Sequence, residues 1–316
     1  MKIFNLLGMC LLIILLGSFA FYGCAREDTS FDESLGEIAT PDQEKNIITG
    51  KISKTKPIIE GMIEIEGIGN FKFNPLEVST IRDDLFNEGY FSIFDILVSL
   101  EQSGEIEMEY YFDEELNTYV IGSINGIEGW WYIAYYDGGW PERNVFRMDH
   151  YPYKDKMSIT IIEASQRELE SYYDVFREEI ARKNLNGDEI IIPEVVLRGP
   201  NIGDLIFENF KVEAHNLRND MLKEGTVTAI DAIMALGDEG LIDYELFWYE
   251  SIGTAEIVKN YWVNRINNDA ASGRCGFVYE EGSVDFSGFR GNHIHIPSDI
   301  RIINSPEYLE YYWICL

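Results

Sequence analysis

Basic residues are scarce: 25 Lys and Arg stand against 55 Asp and Glu, for a formal charge of −30 over 316 residues. Such an imbalance repels phosphate backbones and anionic lipid heads, which argues against nucleic acid as a partner. Its ordinary meaning is a solvated surface, and contact with divalent cations is the sharper alternative. Histidine is nearly absent, with four in the whole chain. There is no nucleophile-elbow glycine pattern, no phosphate loop and no metal-hydrolase helix signature. Acidic pairs are so abundant that no chosen pair is informative. A non-enzymatic protein is the expectation.

Cysteine is also sparse, and two of the four sit in the first 24 residues, MKIFNLLGMCLLIILLGSFAFYGC. One lysine, a nearly unbroken apolar run and Gly23-Cys24 read as an export signal of the lipoprotein type (residues 1–24), with Cys24 as the lipidated residue. Phe21 and Tyr22 are bulkier than that signal usually carries. A signal cleaved without lipidation and an uncleaved anchor are the other readings, since the run approaches the roughly 20 residues that span a bilayer. The expected location is outside the cytoplasm, on the cell surface or in the periplasm, held to a membrane by lipid. Only Cys275 and Cys315 then remain in the exported part. An even number suits a disulfide-permitting compartment, and a bridge there stabilises by about 4 kcal/mol on the chain-entropy model. Two buried free thiols are the alternative.

Residues 25–56 have little apolar periodicity and read as an acidic tether, with structure starting near Pro57. From Pro57 the chain repeats itself at a spacing of 136 residues, with thirteen identities over 56 positions and no gap. Among them are Phe71/Phe207, Arg82/Arg218, Asp84/Asp220, Gly89/Gly225, Asp95/Asp231 and Gly104/Gly240. The register then slips by six, so that Tyr119 meets Tyr261 and Asn125 meets Asn267.

Each copy reads as α+β. In SIFDILVSL, Ser92 and Asp95 form a capping-box pattern ahead of Ile93, Ile96, Leu97 and Leu100 on one helical face. Thr228 and Asp231 take the same places in the second copy. Alternating strands follow, EIEMEYYF and LIDYELFW, then a second strand ending in Asn-Gly or Asn-Asn. The pattern predicts a helix on a small twisted antiparallel sheet, twice: residues 57–164 and 189–316. Between them, 165–188 predicts a helix with Ser165 as cap and Gly187 past its end, its stripe of Leu169, Tyr172, Tyr173, Phe176 and Ile180 requiring cover.

The helix SIFDILVSL with Gly89, the segment YVIGSINGIEGWWYIAYYDGGW and the closing HYPYKDKMSITII give the first copy a resemblance to a known family. It resembles the C-terminal domain of the vitamin B12 carriers transcobalamin and intrinsic factor, and the bacterial surface-protein domains similar to it. The resemblance covers about a third of the chain well, and the second copy matches it weakly. It implies a β-grasp-like fold and non-enzymatic binding, with the ligand approaching the SINGI hairpin. The closing turn departs from the family's usual Lys-Asp-Gly-Asp, being Lys154-Asp155-Lys156-Met157. No segment has the helical repetition of the carriers' barrel, so a cobamide is only a weak inference.

Three tryptophans and three tyrosines crowd residues 123–140. Alternate residues on a strand face opposite ways, which puts Trp131, Ile133 and Tyr135 on one side and Trp130, Tyr132, Ala134 and Tyr136 on the other. With Ile133 in the first set taken as core, the expectation is that Trp130, Tyr132 and Tyr136, flanked by Asn125 and Trp140, form an exposed stack. Cover by the connecting helix is the competing outcome. His293 and His295 lie i and i+2, so on a strand both imidazoles project to one face as two metal ligands would. Their similarity to His150-Tyr151-Pro152 favours a shared turn instead. Calcium has only KNLNGDEI, which grazes an EF-hand loop. No cofactor is therefore assigned.

The functional expectation is a surface-anchored binding protein that recognises a small molecule, glycan or surface protein through the aromatic hairpin of the first copy. The alternative is a structural subunit of a cell-surface or extracellular assembly, self-associating through the paired domains. A pocket beside the rings favours the first, and an exposed strand edge the second.

Overall fold

Three α-helices and two sets of strands give the described residues their α+β architecture. The computed structural model describes residues 46–50, 60–139, 145–284 and 296–315, all within one compact unit, Glu44–Leu316. In chain order the elements are β1 (Asn46–Thr49), β2 (Gly61–Ile65), β3 (Gly69–Phe73), α1 (Ile93–Gln102), β4 (Met108–Asp113), β5 (Thr118–Ile124), β6 (Trp130–Tyr135) and β7 (Ser158–Glu163). Then come α2 (Gln166–Leu185), β8 (Ile190–Gly199), β9 (Gly203–Val212), α3 (Asp231–Asp238), β10 (Tyr244–Tyr249), β11 (Asn260–Ile266), β12 (Asp269–Ala270), β13 (Cys275–Gly282) and β14 (Tyr308–Cys315).

The two copies repeat one topology. The first has a mixed sheet of order β3-β2-β7-β6, in which β2 and β3 form an antiparallel hairpin and β7 returns parallel to β2. The second has β9-β8-β14-β13 with the same directions, β14 running parallel to β8. Each also carries a second hairpin, β4–β5 and β10–β11, bulged at the equivalent places Glu109/Tyr110 and Glu245/Leu246. A bulge sharpens the twist and bends the hairpin.

Helix α1 forms where expected. The Ser92 hydroxyl accepts from the Asp95 N–H while the Asp95 carboxylate accepts from the Ser92 N–H at 2.6 Å, so two otherwise unpaired donors are satisfied. Its burial exceeds one stripe: Ile93, Phe94, Ile96, Leu97, Val98 and Leu100 are all buried, because Phe94 meets Tyr110 and Tyr119 of the β4–β5 hairpin at 5.5 and 5.4 Å. In the second copy Asp231 accepts from Thr228 at 2.6 Å, but the regular helix starts only at Asp231. Helix α2 starts after Ser165 and ends before Gly187, whose φ of +69° suits glycine.

The tether expectation for 25–56 is corrected at its end. Residues Asn46–Thr49 form β1, which runs parallel to β10 and extends the second copy's small sheet. The segment NIIT is short and β-branched between lysines, so composition alone hid a strand that only a distant edge stabilises. The Cys275–Cys315 disulfide forms, tying the paired ends of β13 and β14.

The copies meet at equivalent positions through a symmetric backbone contact. Phe86 and Leu222, which are equivalent positions, bridge each other; the Asn87 N–H donates to the Met221 carbonyl and the Lys223 N–H to the Leu85 carbonyl, both at 2.9 Å. Met221, Leu222, Ile296, Ile300 and Ile302 of the second copy belong to the first copy's core.

Candidate functional site

The aromatic strand β6 is buried along one face and, at Trp131, covered on the other as well. Trp130 is 2 % exposed, Tyr132 0 % and Tyr136 5 %. The expected exposed stack is therefore corrected: Trp130, Tyr132 and Tyr136 belong to the first copy's core. The Trp130 indole donates to the Ile127 carbonyl at 2.6 Å, the Tyr132 hydroxyl to the Phe146 carbonyl at 2.7 Å and the Tyr136 hydroxyl to the Pro152 carbonyl at 2.7 Å. Burial raises both tyrosine pKa values well above the usual phenol range, so these hydroxyls stay protonated donors. Trp131, on the opposite face, lies under α2 with its ring 4.8 Å from Tyr172, while Ile133 and Tyr135 are half-buried. The signal was present in WWYIAYY: an unbroken apolar run, unlike an alternating one, marks a strand covered on both sides.

Of the other expected site residues, Asn125 sits at the SINGI turn with φ +51°, and its side-chain oxygen accepts from the Glu107 N–H at 2.9 Å. Asn267 does the same for Asp243 at 2.8 Å, so this asparagine holds the hairpin in both copies. Trp140, His293, His295 and Cys24 lie outside the described residues. The KNLNGDEI segment is the end of α2 and the turn into β8. Among the described residues no group of three or more His, Cys, Asp or Glu is arranged to hold a metal. No helix among them is long and apolar enough to cross a membrane.

Charged groups that the sequence reading left unassigned fill the interior. Arg82 donates to Asp149 at 2.5 Å, and Asp149 also accepts from the Thr118 hydroxyl at 2.5 Å and the Tyr119 N–H at 3.2 Å. In the second copy Arg218 donates to Asp299 at 2.9 Å, which accepts from the Asn260 amide at 2.7 Å and the Tyr261 N–H at 2.8 Å. The match of Tyr119 to Tyr261 in these clamps agrees with the six-residue slip. Burial drives both aspartates up, against the pull of their arginines. Both guanidiniums are held above their usual value: burial opposes this, but hydrogen bonds and nearby carboxylate charge outweigh it.

These clamps correct one alignment. Ser92 bridges Pro152 and Thr228 bridges Ile302, so His150 corresponds to Ile300 and not to His295. His150 is itself buried, its Nε2 3.0 Å from the Arg82 guanidinium. Burial first, then Arg82, Arg147 and Arg301, push its pKa well down, which keeps it neutral.

Lys154 crosses between the copies. Its ammonium end donates to the Val258 carbonyl and the Asn260 side-chain oxygen and lies 4.5 Å from the Tyr136 ring centre. Burial, followed by the charge of Arg218, lowers its pKa to about 7. The unfolded lysine keeps its proton up to its ordinary 10.5. Above pH 7 the unfolded chain therefore binds more protons at this site, and stability rises with pH until about 10.5. Denaturant melts at pH 7 and 9 are expected to show this gain, at most about 1.4 kcal/mol per pH unit, and Lys154→Met should flatten it. An unchanged slope in that variant would remove the assignment.

Among the described residues, two features of the first copy are open. A cleft of about 390 Å³ crosses the outer surface of its sheet, lined by Glu60, Glu64, Asn70, Tyr135, Tyr153, Lys156 and Thr160. The second is the outer edge of β4, beside which Tyr111 and Phe112 are 56 % and 39 % exposed. The comparable edge of β10 is covered by β1. The fold thus defines a two-copy α+β protein whose buried polar groups serve its frame. Compared with protein-family models, curated proteins and solved structures, the chain shows no match.

Proposed function

We propose that this chain is an exported, lipid-anchored, non-enzymatic binding protein, built from two tandem β-grasp-like domains of the transcobalamin C-terminal type, that acts as a protein-interaction module at the cell surface. The observation that carries the reading is the placement of its aromatic and charged groups. Rings that suggested a ligand platform are in the core, the buried ion pairs brace the inside of each copy, and among the described residues no strand pairs with the outer edge of β4. The shared sheet order and the helix against the sheet support the β-grasp-like assignment. An open edge offers main-chain hydrogen bonds to another polypeptide, a recurring mode of peptide recognition. A second reading, a small polar ligand or glycan on the first sheet, is favoured by the cleft beside Tyr135 and Lys156.

Display at the surface is the testable part. The full chain is expected in the membrane fraction of its host cells and open to protease added outside. Cys24→Ser should release it from that fraction, because lipid anchoring contributes about 0.8 kcal/mol per buried methylene and serine carries no lipid. Recovery of the unchanged chain in the cytoplasm, with Cys24 a free thiol, would overturn the reading.

A further inference from the structure

We propose that the outer edge of β4 is an acceptor site for an extended strand of a partner protein, pairing parallel to β4 as β1 pairs with β10; the proposal rests on the interaction-module reading and names its surface and partner chemistry. The second copy shows the occupied form of the site. There, Asn46, Ile47, Ile48 and Thr49 lie opposite Tyr244, Glu245, Leu246 and Phe247. The 136-residue repeat carries those four positions onto Met108, Glu109, Tyr110 and Tyr111, on a strand with the same bulge. After the strand, Gly50 adopts φ +94° beside Trp248, where an added Cβ would lie 2.5 Å from the Trp248 Cβ. Trp248 is 6 % exposed, whereas its counterpart Phe112 is 39 % exposed. The cation beneath each ring is the same, with Arg218 5.3 Å from the Trp248 centre and Arg82 5.5 Å from that of Phe112. The two edges are alike except that, among the described residues, only that of β10 carries a strand.

The occupied edge also gives the chemistry of the missing occupant. The tetrapeptide in β1 is uncharged and largely β-branched, is followed by glycine, and stands between Lys45 and Lys51 in the sequence. The edge of β4 is acidic around its apolar rings: Glu105, Glu107, Glu109, Glu114 and Glu115 are all exposed. An uncharged β-branched strand flanked by lysines therefore fits in both backbone and charge. Among the described residues the strand of this kind, β1, is already paired with β10, and the charge match assigns the strand for β4 to a different protein.

A labelled peptide with the sequence of residues 44–53, EKNIITGKIS, serves as the probe. Titrated with the full chain, it is expected to bind saturably and more weakly as salt rises. Affinity should fall at least tenfold when both isoleucines are replaced by aspartate. The same fall is expected on the protein side from Glu109→Lys combined with Tyr111→Lys, both exposed positions. Amide hydrogen exchange locates the site: the peptide should slow exchange across residues 108–113 and leave 244–249 unchanged. Slowing confined to 244–249 would mean that the peptide only displaces β1, and absence of binding would mean no acceptor site; either overturns the proposal. Concentration-dependent slowing at 108–113 without peptide would assign the edge to a second copy and overturn the partner-protein source. None of these failures touches the membrane retention and protease access that test the broader reading.

Discussion

A chain carrying both Trp130→Ala and Tyr132→Ala is expected to lose its cooperative fold. Removing a buried large aromatic side chain costs about 3–5 kcal/mol, because the transfer term and the cavity it leaves both act. Tyr132 has no exposed surface, and its hydroxyl holds the Phe146 carbonyl, so its loss also leaves a buried acceptor unpaired. Two such changes together remove about 6–10 kcal/mol, comparable with the roughly 5–15 kcal/mol that holds a whole domain folded. The position of Tyr132 makes relief by local collapse difficult: its ring lies 6.1 Å from Phe146 and 6.0 Å from Tyr151, and Arg301 of the other copy covers Phe146 at 4.0 Å. Near-ultraviolet circular dichroism and a denaturant melt check this. Tyr132→Phe, which keeps the ring and loses only the hydroxyl, should melt cooperatively at a slightly lower midpoint. A double-alanine chain with the parent's melting curve would return these rings to the surface and reopen the platform reading.

The contrast between β6 and the rest of the molecule shows what the sequence carried. The repeat was legible because its identities fall where geometry or charge leaves little choice. Gly89 and Gly225 have φ of +86° and +88°, Asp95 and Asp231 cap the helix start, and Arg82 and Arg218 enter the buried clamps. The clamps' carboxylates were not legible. Asp149 and Asp299 follow loops of different length, so their spacing departs from 136, and the histidines beside those loops suggested a different match. The face of β6 was misassigned because alternation separates two faces without saying which is covered. A strand wedged between α2 and the other copy needs apolar residues on both. Strand β1 escaped for a related reason: its stability lies in pairing with β10, almost two hundred residues away, and a four-residue segment has no period to read. The candidate interaction edge was likewise invisible until the two copies were compared in space, because what marks β4 is that no described strand pairs with it as β1 does with β10.

Asp149→Ala is expected to destabilise the chain by about 3–5 kcal/mol, because it leaves the Arg82 guanidinium buried beside an empty space. Arg82 is 2 % exposed, and its remaining carboxylate, Asp84, is largely in water, so solvent and Asp84 make up only part of the loss. Asp149 also fixes Thr118 and the Tyr119 N–H, tying the start of β5 to the loop before β7. Asp299→Ala should act similarly on the second copy, where the bonds to Asn260 and the Tyr261 N–H are lost. Replacing both partners distinguishes charge from packing. Because desolvation offsets much of a buried pair's attraction, Arg82→Met with Asp149→Leu should recover most of what Asp149→Ala loses. Denaturant midpoints for the parent, the single variants and the pair form the required cycle. If the single variant falls within about 1 kcal/mol of the parent, in the range of an exposed ion pair, the clamp does not hold the fold. A pair variant no better than Asp149→Ala would instead show that the specific bonds to Thr118 and Tyr119, rather than the uncompensated charge, carry the effect.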